Sequence, residues 1–411
     1  MRERPPLSDG ALAATLADGW GVAVASVEFL PVGNDSRAWS FGVVAADGSR
    51  RFCKLRRGPV GPGPVRVPMF LREQGLEEVV AAVPTVDGEP WRPLAGFTLL
   101  LYPWVEGRPA MEQGLSDRQW TALGRFVAAL HRTALPAALA ATVTRESFVL
   151  WGTGPVRALD ARIDEDRLAE PLRHELAGLW RAHRTEIGVA ADRAERLGRV
   201  VAAARPALVL CHGDLHTANL LVGHRDRLAV VDWDGLLLAP RERDLMFVTG
   251  EERTRFLEGY GPATLDRTVL AYTRWEWVVQ ELADYGTRVL DDRLGEQTRR
   301  QAVTEFARLF APGDVGRGGP GGRPAAEAQL SPRASRRKAS WRWRRLSATA
   351  SWAARWVTPD RGRTLWGRPA ASSRPDRRRL WAATTLSSAS PWISSSGRSS
   401  LAASASSELR R

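Results

Sequence analysis

Residues 208–234, LVLCHGDLHTANLLVGHRDRLAVVDWD, constrain the fold of this chain more than any other stretch. An apolar run at 208–210 leads into a polar cluster, and two further apolar runs follow at 220–222 and 228–231. Short apolar runs bounded by polar and turn-forming residues are typical of β-strands. The stretch therefore predicts a strand, a loop and a β-hairpin, with polar side chains where the strands end.

Three polar side chains of this stretch, those of Asp214, Asn219 and Asp232, form a candidate site. A single Asp in a loop is usually a turn or cap residue, so the evidence lies in the spacing of the three. Carboxylate and amide oxygens are the hard ligands that the magnesium of a nucleotide requires. Protein kinases use an Asp base, an Asn five residues later and a second Asp after the next hairpin, which is the order seen here.

The motif HGDLHxxNLL followed by DWD resembles the aminoglycoside phosphotransferase family, over roughly residues 20–315. Gly213 stands where eukaryotic protein kinases have Arg, so the chain does not resemble a typical protein kinase. The resemblance implies an α+β, bilobal, protein-kinase-like fold, with an antiparallel amino-terminal lobe and a mainly helical carboxy-terminal lobe. It also implies ATP and Mg²⁺ as cofactors, with Asp214 as the catalytic base and Asn219 and Asp232 as the metal ligands.

The segment before this motif alternates short strands with turns. Apolar segments at 27–32, 38–45 and 51–55, separated by turn residues, predict an antiparallel meander. The family resemblance implies that the first turn, residues 33–36, lies over the nucleotide phosphates and offers the Ser36 hydroxyl as a donor. The alternative is a hairpin turn without a ligand.

Lys54 is the only lysine in residues 1–315, in which the other 38 basic residues are arginine. An ammonium group binds phosphates as a compact point charge, so we interpret Lys54 as the phosphate-binding lysine. A surface lysine is the alternative. In kinases a helix Glu pairs with this lysine, and Glu73, near the end of a helix predicted at 65–74, is the candidate. A solvated helix end would account for Glu73 equally well.

The segment 96–104, GFTLLLYPW, predicts a buried strand that leads into the connection between the lobes. In the resembled family, backbone groups of this connection bind adenine, which implies roles for Leu101 and Trp104. Pro103 has no N–H group, so a donor must come from a neighbour such as Trp104. The alternative is an interior strand. We expect a nucleotide-binding lobe at 1–103 and a catalytic lobe at 104–315.

Residues 265–290 predict an aromatic helix that carries three acids, Glu276, Glu281 and Asp284. Its aromatic pattern resembles the spectinomycin phosphotransferase branch, which implies a cationic small-molecule acceptor, an aminocyclitol or aminoglycoside antibiotic. Carboxylates and aromatic rings are suitable contacts for ammonium groups, so the three acids are candidate substrate-binding residues. A solvated helix face is the alternative for each acid.

Two other functions remain open at this point. One is a kinase of a metabolic alcohol, such as a choline-like or homoserine-like substrate. The other is a catalytically damaged nucleotide-binding protein.

Four further residues are expected to be structural. In the resembled family an acid at the position of Asp244 braces the catalytic loop. His131 follows a predicted helix without metal-ligand spacing, as expected for a surface or capping histidine. Cys53 and Cys211 lie in apolar strands, and two cysteines are too few for a disulfide framework or a metal cluster. We expect both to be buried free thiols in a reducing compartment.

The net charge of +13 belongs entirely to the last part of the chain. Residues 316–411 carry 20 Lys and Arg against 4 Asp and Glu, whereas residues 1–315 have a net charge of −3. The segment is rich in Ser, Arg, Ala, Gly, Pro and Trp without a period, which predicts disorder. We favour a frameshifted reading of a GC-rich gene as its origin.

The arginines and tryptophans of 316–411 could bind nucleic acid without sequence preference, and we expect no other nucleic-acid partner. The amino terminus lacks the apolar core of a signal peptide, and no apolar run reaches the length of a membrane span. No membrane partner and a cytoplasmic location are therefore expected.

Overall fold

The amino-terminal lobe is built on one antiparallel sheet, as predicted. The computed structural model describes residues 3–164 and 170–310. The sheet has the strand order β1-β2-β3-β5-β4. The elements of this lobe are α1 (Asp9–Trp20), β1 (Val24–Leu30), β2 (Ala38–Ala45), β3 (Arg50–Arg57), α2 (Gly63–Glu73), β4 (Arg92–Leu94) and β5 (Phe97–Pro103).

The predicted strand at 27–32 is shifted in the structure, where β1 ends at Leu30. Pro31 follows, and it has no N–H group with which to continue the pairing to β2. In the centre of the sheet, Lys54 lies opposite Ser40 of β2 and Leu100 of β5. Cys53 is buried under α1 on the opposite face of β3, so strand alternation directs Lys54 to the cleft.

The carboxy-terminal lobe is mainly helical. Helix α10 packs against α6, α7 and α11, and their apolar faces form the largest core cluster. The lobe comprises β6 (Gly107–Pro109), α3 (Ala110–Gln113), α4 (Asp117–Arg132), α5 (Ala137–Ala140), β7 (Thr144–Arg145), α6 (Thr153–Arg162), α7 (Pro171–Ala204), β8 (Val209–Cys211), β9 (Leu220–Gly223), β10 (Leu228–Val230), β11 (Leu237–Ala239), α8 (Glu242–Leu245), α9 (Glu252–Tyr260), α10 (Arg267–Leu290) and α11 (Glu296–Arg308).

The stretch 208–234 folds as the sequence predicts. Strand β8 leads into a loop, and β9 and β10 form an antiparallel hairpin in which Leu228 lies opposite Val222. Strand β6 extends this hairpin to three strands, and β8 pairs with β11 in a second small sheet. The ends of β8 and β10 therefore carry the polar clusters HGD and DWD to one region.

Three expectations concern the boundary between the lobes, residues 316–411 and membrane spans. Strand β5 ends at Pro103, where the boundary between the lobes is expected, and the domain limits remain a prediction. The expected disorder and frameshifted origin of 316–411 lie outside the described residues. Within 3–164 and 170–310, no helix combines the length and the apolar character that a membrane span requires.

Candidate active site

The loop after β8 brings Asp214 and Asn219 together. The Asn219 side-chain amide donates to the main-chain oxygen of Asp214 at 2.9 Å and to its Oδ2 at 3.1 Å. The main-chain oxygen of Asn219 accepts the N–H of Val231 at 3.0 Å, which brings Asn219 close to Asp232. The structure thus gathers the three predicted residues at the ends of two strands.

Asp244 holds the backbone of this loop from below, as expected. Its buried carboxylate accepts the N–H of His212 at 2.9 Å and that of Gly213 at 2.8 Å. Burial alone would raise the pKa of Asp244, but hydrogen bonds from His131 and from Gly213 lower it. The prediction for His131 is wrong, because its ring is buried and bridges Asp244 and the Tyr260 hydroxyl at 3.1 and 2.8 Å.

Gly213 is required by two local constraints. Its φ of +87° lies in the left-handed region that side chains rarely adopt. A Cβ at this position would overlap the carbonyl oxygen of Gly235 and would lie 2.6 Å from the Leu237 side chain. The loop therefore packs directly on the backbone that follows DWD, which accounts for the Gly at this point of the motif.

Glu276 does not face a substrate, contrary to the sequence-based prediction. Its side chain is buried under the loop after β8, residues 212–219, here called the catalytic loop. It pairs with the guanidinium of Arg243. Arg243 in turn donates through Nε to the main-chain oxygen of Gly213 at 2.9 Å. Position 276 lies on the face of α10 that packs inward, so this acid neutralises a buried arginine that positions the residue before Asp214.

Asp214 is held ionised by its surroundings. Burial alone would raise its pKa, but the neighbouring His216 lowers the pKa well below the usual range, and His212 adds to the effect. The Nε2 atom of His216 lies 3.3 Å from Asp214 Oδ2. The N–H of Ala218 donates to Nδ1 of His216, so Nε2 is the ring nitrogen that can carry a proton towards Asp214. Burial would lower the pKa of His216, but Asp214 raises it. His216 lies in the same motif, but the spacing of Asp214, Asn219 and Asp232 does not indicate its role.

Lys54 links the two lobes through acids of the DWD motif. Its Nζ lies 2.7 Å from Asp232 Oδ1 and 2.8 Å from Asp234 Oδ2. Burial would lower the pKa of Lys54, but the two carboxylates raise it. The structure does not bring Glu73 to Lys54, because Glu73 is exposed at the last turn of α2. Asp232 and Asp234 thus pair with Lys54 in place of the expected helix glutamate.

The donor chemistry at this point suits a divalent cation. With its amide nitrogen bonded to Asp214, Asn219 keeps its Oδ1 as a hard ligand, and Asp232 supplies a carboxylate. Asp232 has a φ of +62°, an uncommon conformation for a residue other than Gly, and such conformations cluster at functional sites. The residues present fit a magnesium ion.

A cleft of about 930 Å³, including its open mouth, lies between the lobes next to Lys54. Its mainly apolar walls suit a nucleotide base. The wall on the side of the inter-lobe connection is formed by Tyr102, Pro103 and Val105. The other apolar residues of the wall include Val32, Ala38, Phe52, Ala82, Leu221 and Val231.

Three residues predicted to bind the nucleotide are not part of this wall among the described residues. The side chain of Leu101 is buried in the core of the amino-terminal lobe, and its carbonyl accepts the N–H of Val83 at 2.7 Å. The Trp104 ring stacks on the Arg50 guanidinium, 3.7 Å from its centroid. Ser36 follows Asn34 and Asp35, which do line the cleft. Neighbours of these three residues, Asn34, Asp35, Tyr102 and Pro103, line the cleft instead.

The face of α10 that carries Glu281 and Asp284 meets the turn between β1 and β2. Asn34 of this turn donates to the Tyr285 hydroxyl at 2.9 Å, and its oxygen atoms accept from Arg288. Burial raises the pKa of Glu281 to about 7; Asp284 and Asp214 also raise it, whereas Tyr285 and Arg288 lower it. Burial likewise raises the pKa of Asp284, against its ion pair with Arg288.

Comparison with known proteins agrees with this geometry. A sequence model of the phosphotransferase enzyme family matches residues 65–278. Protein StrN of Streptomyces griseus is 27% identical over 283 residues, which cover 66% of this chain and 82% of StrN. The crystal structure of spectinomycin phosphotransferase APH(9)-Ia with ADP and spectinomycin is similar with a TM-score of 0.69 and 26% identity. That similarity covers 76% of this chain and 98% of the other. The AMP-bound complex of the same enzyme gives a TM-score of 0.67 with 25% identity and the same coverage.

Proposed function

The chain belongs to the phosphotransferase enzyme family, and from this premise we propose that it transfers the γ-phosphoryl group of ATP to a hydroxyl group of an aminocyclitol or aminoglycoside such as spectinomycin. As a member of the family, it is a kinase-like phosphotransferase that acts on hydroxyl groups. Binding of a nucleotide is supported by the ADP and AMP complexes of the spectinomycin enzyme. The reaction would modify an antibiotic and so protect its host.

One observation carries the proposal: Lys54 of the amino-terminal lobe is bonded to Asp232, next to the loop in which Asn219 is bonded to Asp214. In this arrangement Lys54 would serve as a cation for phosphates and Asp214 as an ionised carboxylate for a hydroxyl group. Asp214 would accept or orient the proton of the attacking hydroxyl, because its low pKa keeps it charged. Lys54 would hold the phosphates in line with that hydroxyl.

Asn219 and Asp232 are the residues that would hold magnesium. The ion, when bound, neutralises negative charge on the phosphates. The structural contribution of the chain is to fix these oxygens: the Asn219 amide is anchored on Asp214, and Asp232 is fixed by Lys54 at 2.7 Å. Catalysis then depends mainly on alignment and on preorganised charge.

The acceptor class is supported by two observations. The similarity to spectinomycin phosphotransferase spans 98% of that chain. Glu281 lies on the face of α10 near Asp214, where a carboxylate would attract ammonium groups of an acceptor, and Asp284 lies on the same face, paired with Arg288. Glu276 is excluded from this role, since it is buried against Arg243. Two buried free thiols are consistent with the proposed cytoplasmic location.

The test is phosphorylation of a panel that contains spectinomycin, several aminoglycosides and choline-like and homoserine-like alcohols, with ATP consumption and product mass as readouts. We expect spectinomycin or another aminocyclitol to be phosphorylated. Asp214→Asn should then lower kcat by about 10²- to 10⁴-fold, because the general base is lost. The control is Asp226→Asn, since Asp226 is an exposed acid of the β9–β10 turn.

Transfer to a metabolic alcohol alone would overturn the acceptor class. Full activity of the Asp214→Asn variant would overturn the mechanism.

A further inference from the structure

We propose that Arg56 is a second phosphate-binding cation of the nucleotide site and that it contacts the terminal phosphates. The inference rests on the proposed binding of ATP and adds a residue to which sequence analysis gave no role. It concerns selectivity among nucleotides, because a contact with terminal phosphates favours ATP over AMP.

Arg56 is bound in the structure to two acids that surround the proposed phosphate position. Its Nη2 lies 3.1 Å from Asp35 Oδ2, in the turn between β1 and β2, and its Nη1 donates to Asp234 Oδ2. The same Asp234 oxygen accepts from Lys54 Nζ at 2.8 Å. The guanidinium of Arg56 and the ammonium of Lys54 therefore share one carboxylate oxygen.

The register of β3 places Arg56 further from the adenine end of the cleft than Lys54. Phe52, which lines the cleft, lies opposite Tyr102 at the inter-lobe connection. Lys54 lies opposite Leu100, and Arg56 lies one step further, opposite Thr98. Positions two apart on a strand share a face and are separated by about 7 Å. Base, inner phosphates and terminal phosphates would thus follow the direction of the strand.

A phosphate that binds Arg56 would replace a carboxylate as the partner of its guanidinium. Three acids, Asp35, Asp232 and Asp234, face the two cations Lys54 and Arg56. A guanidinium fork matches a phosphate group in two parallel hydrogen bonds, which are among the stronger polar contacts in proteins. The side chain of Arg56 is 23% exposed. It is therefore accessible to a phosphate, which could replace one of its carboxylate partners.

A structural role for Arg56 makes a different prediction. If Arg56 served only to hold the turn through Asp35, loss of either partner would have the same effect on nucleotide binding. If Arg56 binds phosphate, Asp35→Asn would remove a competitor for the guanidinium and a negative charge from the cleft. That substitution preserves the Oδ1 acceptor for the Arg37 N–H, which bonds Asp35 at 2.8 Å.

The experiment compares binding of AMP, ADP and AMP-PNP to the full chain in the presence of Mg²⁺ by isothermal titration calorimetry. The variants are Arg56→Gln, Asp35→Asn and the control Arg57→Gln. Arg57 is the adjacent arginine on the opposite face of β3, where it lies over the Trp39 ring at 5.4 Å. The control removes the same charge from the same strand without touching the cleft.

We expect Arg56→Gln to weaken AMP-PNP binding by about tenfold or more, the loss typical of a charge-assisted hydrogen bond, and to leave AMP binding nearly unchanged. Asp35→Asn should leave AMP-PNP binding equal or tighter, and Arg57→Gln should match the wild type.

Equal weakening of all three nucleotides by Arg56→Gln, or no weakening, would overturn the inference. So would a loss in Asp35→Asn parallel to that in Arg56→Gln. If the wild-type chain binds none of the nucleotides, the proposed function itself fails. If the wild type binds them and Arg56→Gln does not discriminate, only the role of Arg56 fails.

Discussion

Substitution of Gly213 by Ala should lower the rate of the reaction about a hundredfold because of a steric clash, and the chain provides a control that separates the clash from backbone strain. Gly213 has a φ of +87° and Gly48 a φ of +78°, so an alanine is strained at both positions. A Cβ at Gly48, in the turn between β2 and β3, meets nothing within 4 Å, whereas one at Gly213 overlaps the Gly235 carbonyl. Gly48→Ala therefore reports strain alone.

The magnitude follows from these contacts. The positive φ costs an alanine about 1–2 kcal/mol of the free energy of unfolding at either position. At Gly213 the new Cβ would lie 2.8 Å from the Gly235 carbonyl carbon and 2.6 Å from the Leu237 side chain, inside the 3.0 Å limit for real Cβ contacts. Relief of this overlap adds about 1–3 kcal/mol, as overpacking does elsewhere. It also shifts Asp214, the next residue, and a displacement of about 1 Å can lower a rate about a hundredfold.

The assay is denaturant unfolding combined with kcat and KM for phosphoryl transfer to the acceptor found in the panel. We expect Gly48→Ala to keep wild-type kinetics with a modest loss of stability, and Gly213→Ala to lose more stability and about 10² in kcat. The reasoning is refuted if the two variants lose the same stability, or if Gly213→Ala retains wild-type kcat.

Two further predictions concern acids of α10. Glu276→Gln leaves the Arg243 charge buried without its counter-ion, which should lower the free energy of unfolding by about 3–5 kcal/mol. The control Glu296→Gln, at an exposed pair on α11, should change it by no more than about 0.5 kcal/mol, and equal effects in a denaturation series would contradict the buried role. Because the pKa of Glu281 is about 7, its carboxyl group gains charge as the pH rises through 7, so KM for a cationic acceptor should fall, by at most about fivefold, between pH 6 and 8. Glu281→Gln should abolish this pH dependence in steady-state kinetics, and its persistence would assign the titration to another group.

The strands β8, β9 and β10 and the fold class were predictable because the sequence encodes them locally. Three apolar runs separated by polar clusters define β8, β9 and β10, and the spacing of Asp214 and Asn219 lies within one loop. Their meeting with Asp232 follows from a hairpin of known geometry. A single lysine on a predicted strand was sufficient to indicate Lys54, because strand alternation determines the face on which it lies.

The partners of these residues could not be predicted, because they come from distant parts of the chain. Glu276 and Glu281 lie on the same helix, and only the packing of α10 decides that one is buried against Arg243 and the other lies near the cleft. His131 is more than 100 residues from Asp244, and the histidine carries no local sign of burial. Glu73 is the acid of the helix that the sequence predicts at 65–74, whereas Lys54 is neutralised by acids of the carboxy-terminal lobe.

The contact between Asn34 and α10 limits which substitutions can change the preference of the protein for its acceptor substrate. Three hydrogen bonds attach the turn beside the phosphates to Tyr285 and Arg288, on the helix whose acids are proposed to receive the acceptor. Substitutions at these two positions alter the nucleotide side of the cleft together with the acceptor side. On α10, mutational routes to a new acceptor that keep the nucleotide site intact are therefore confined to positions that do not touch Asn34.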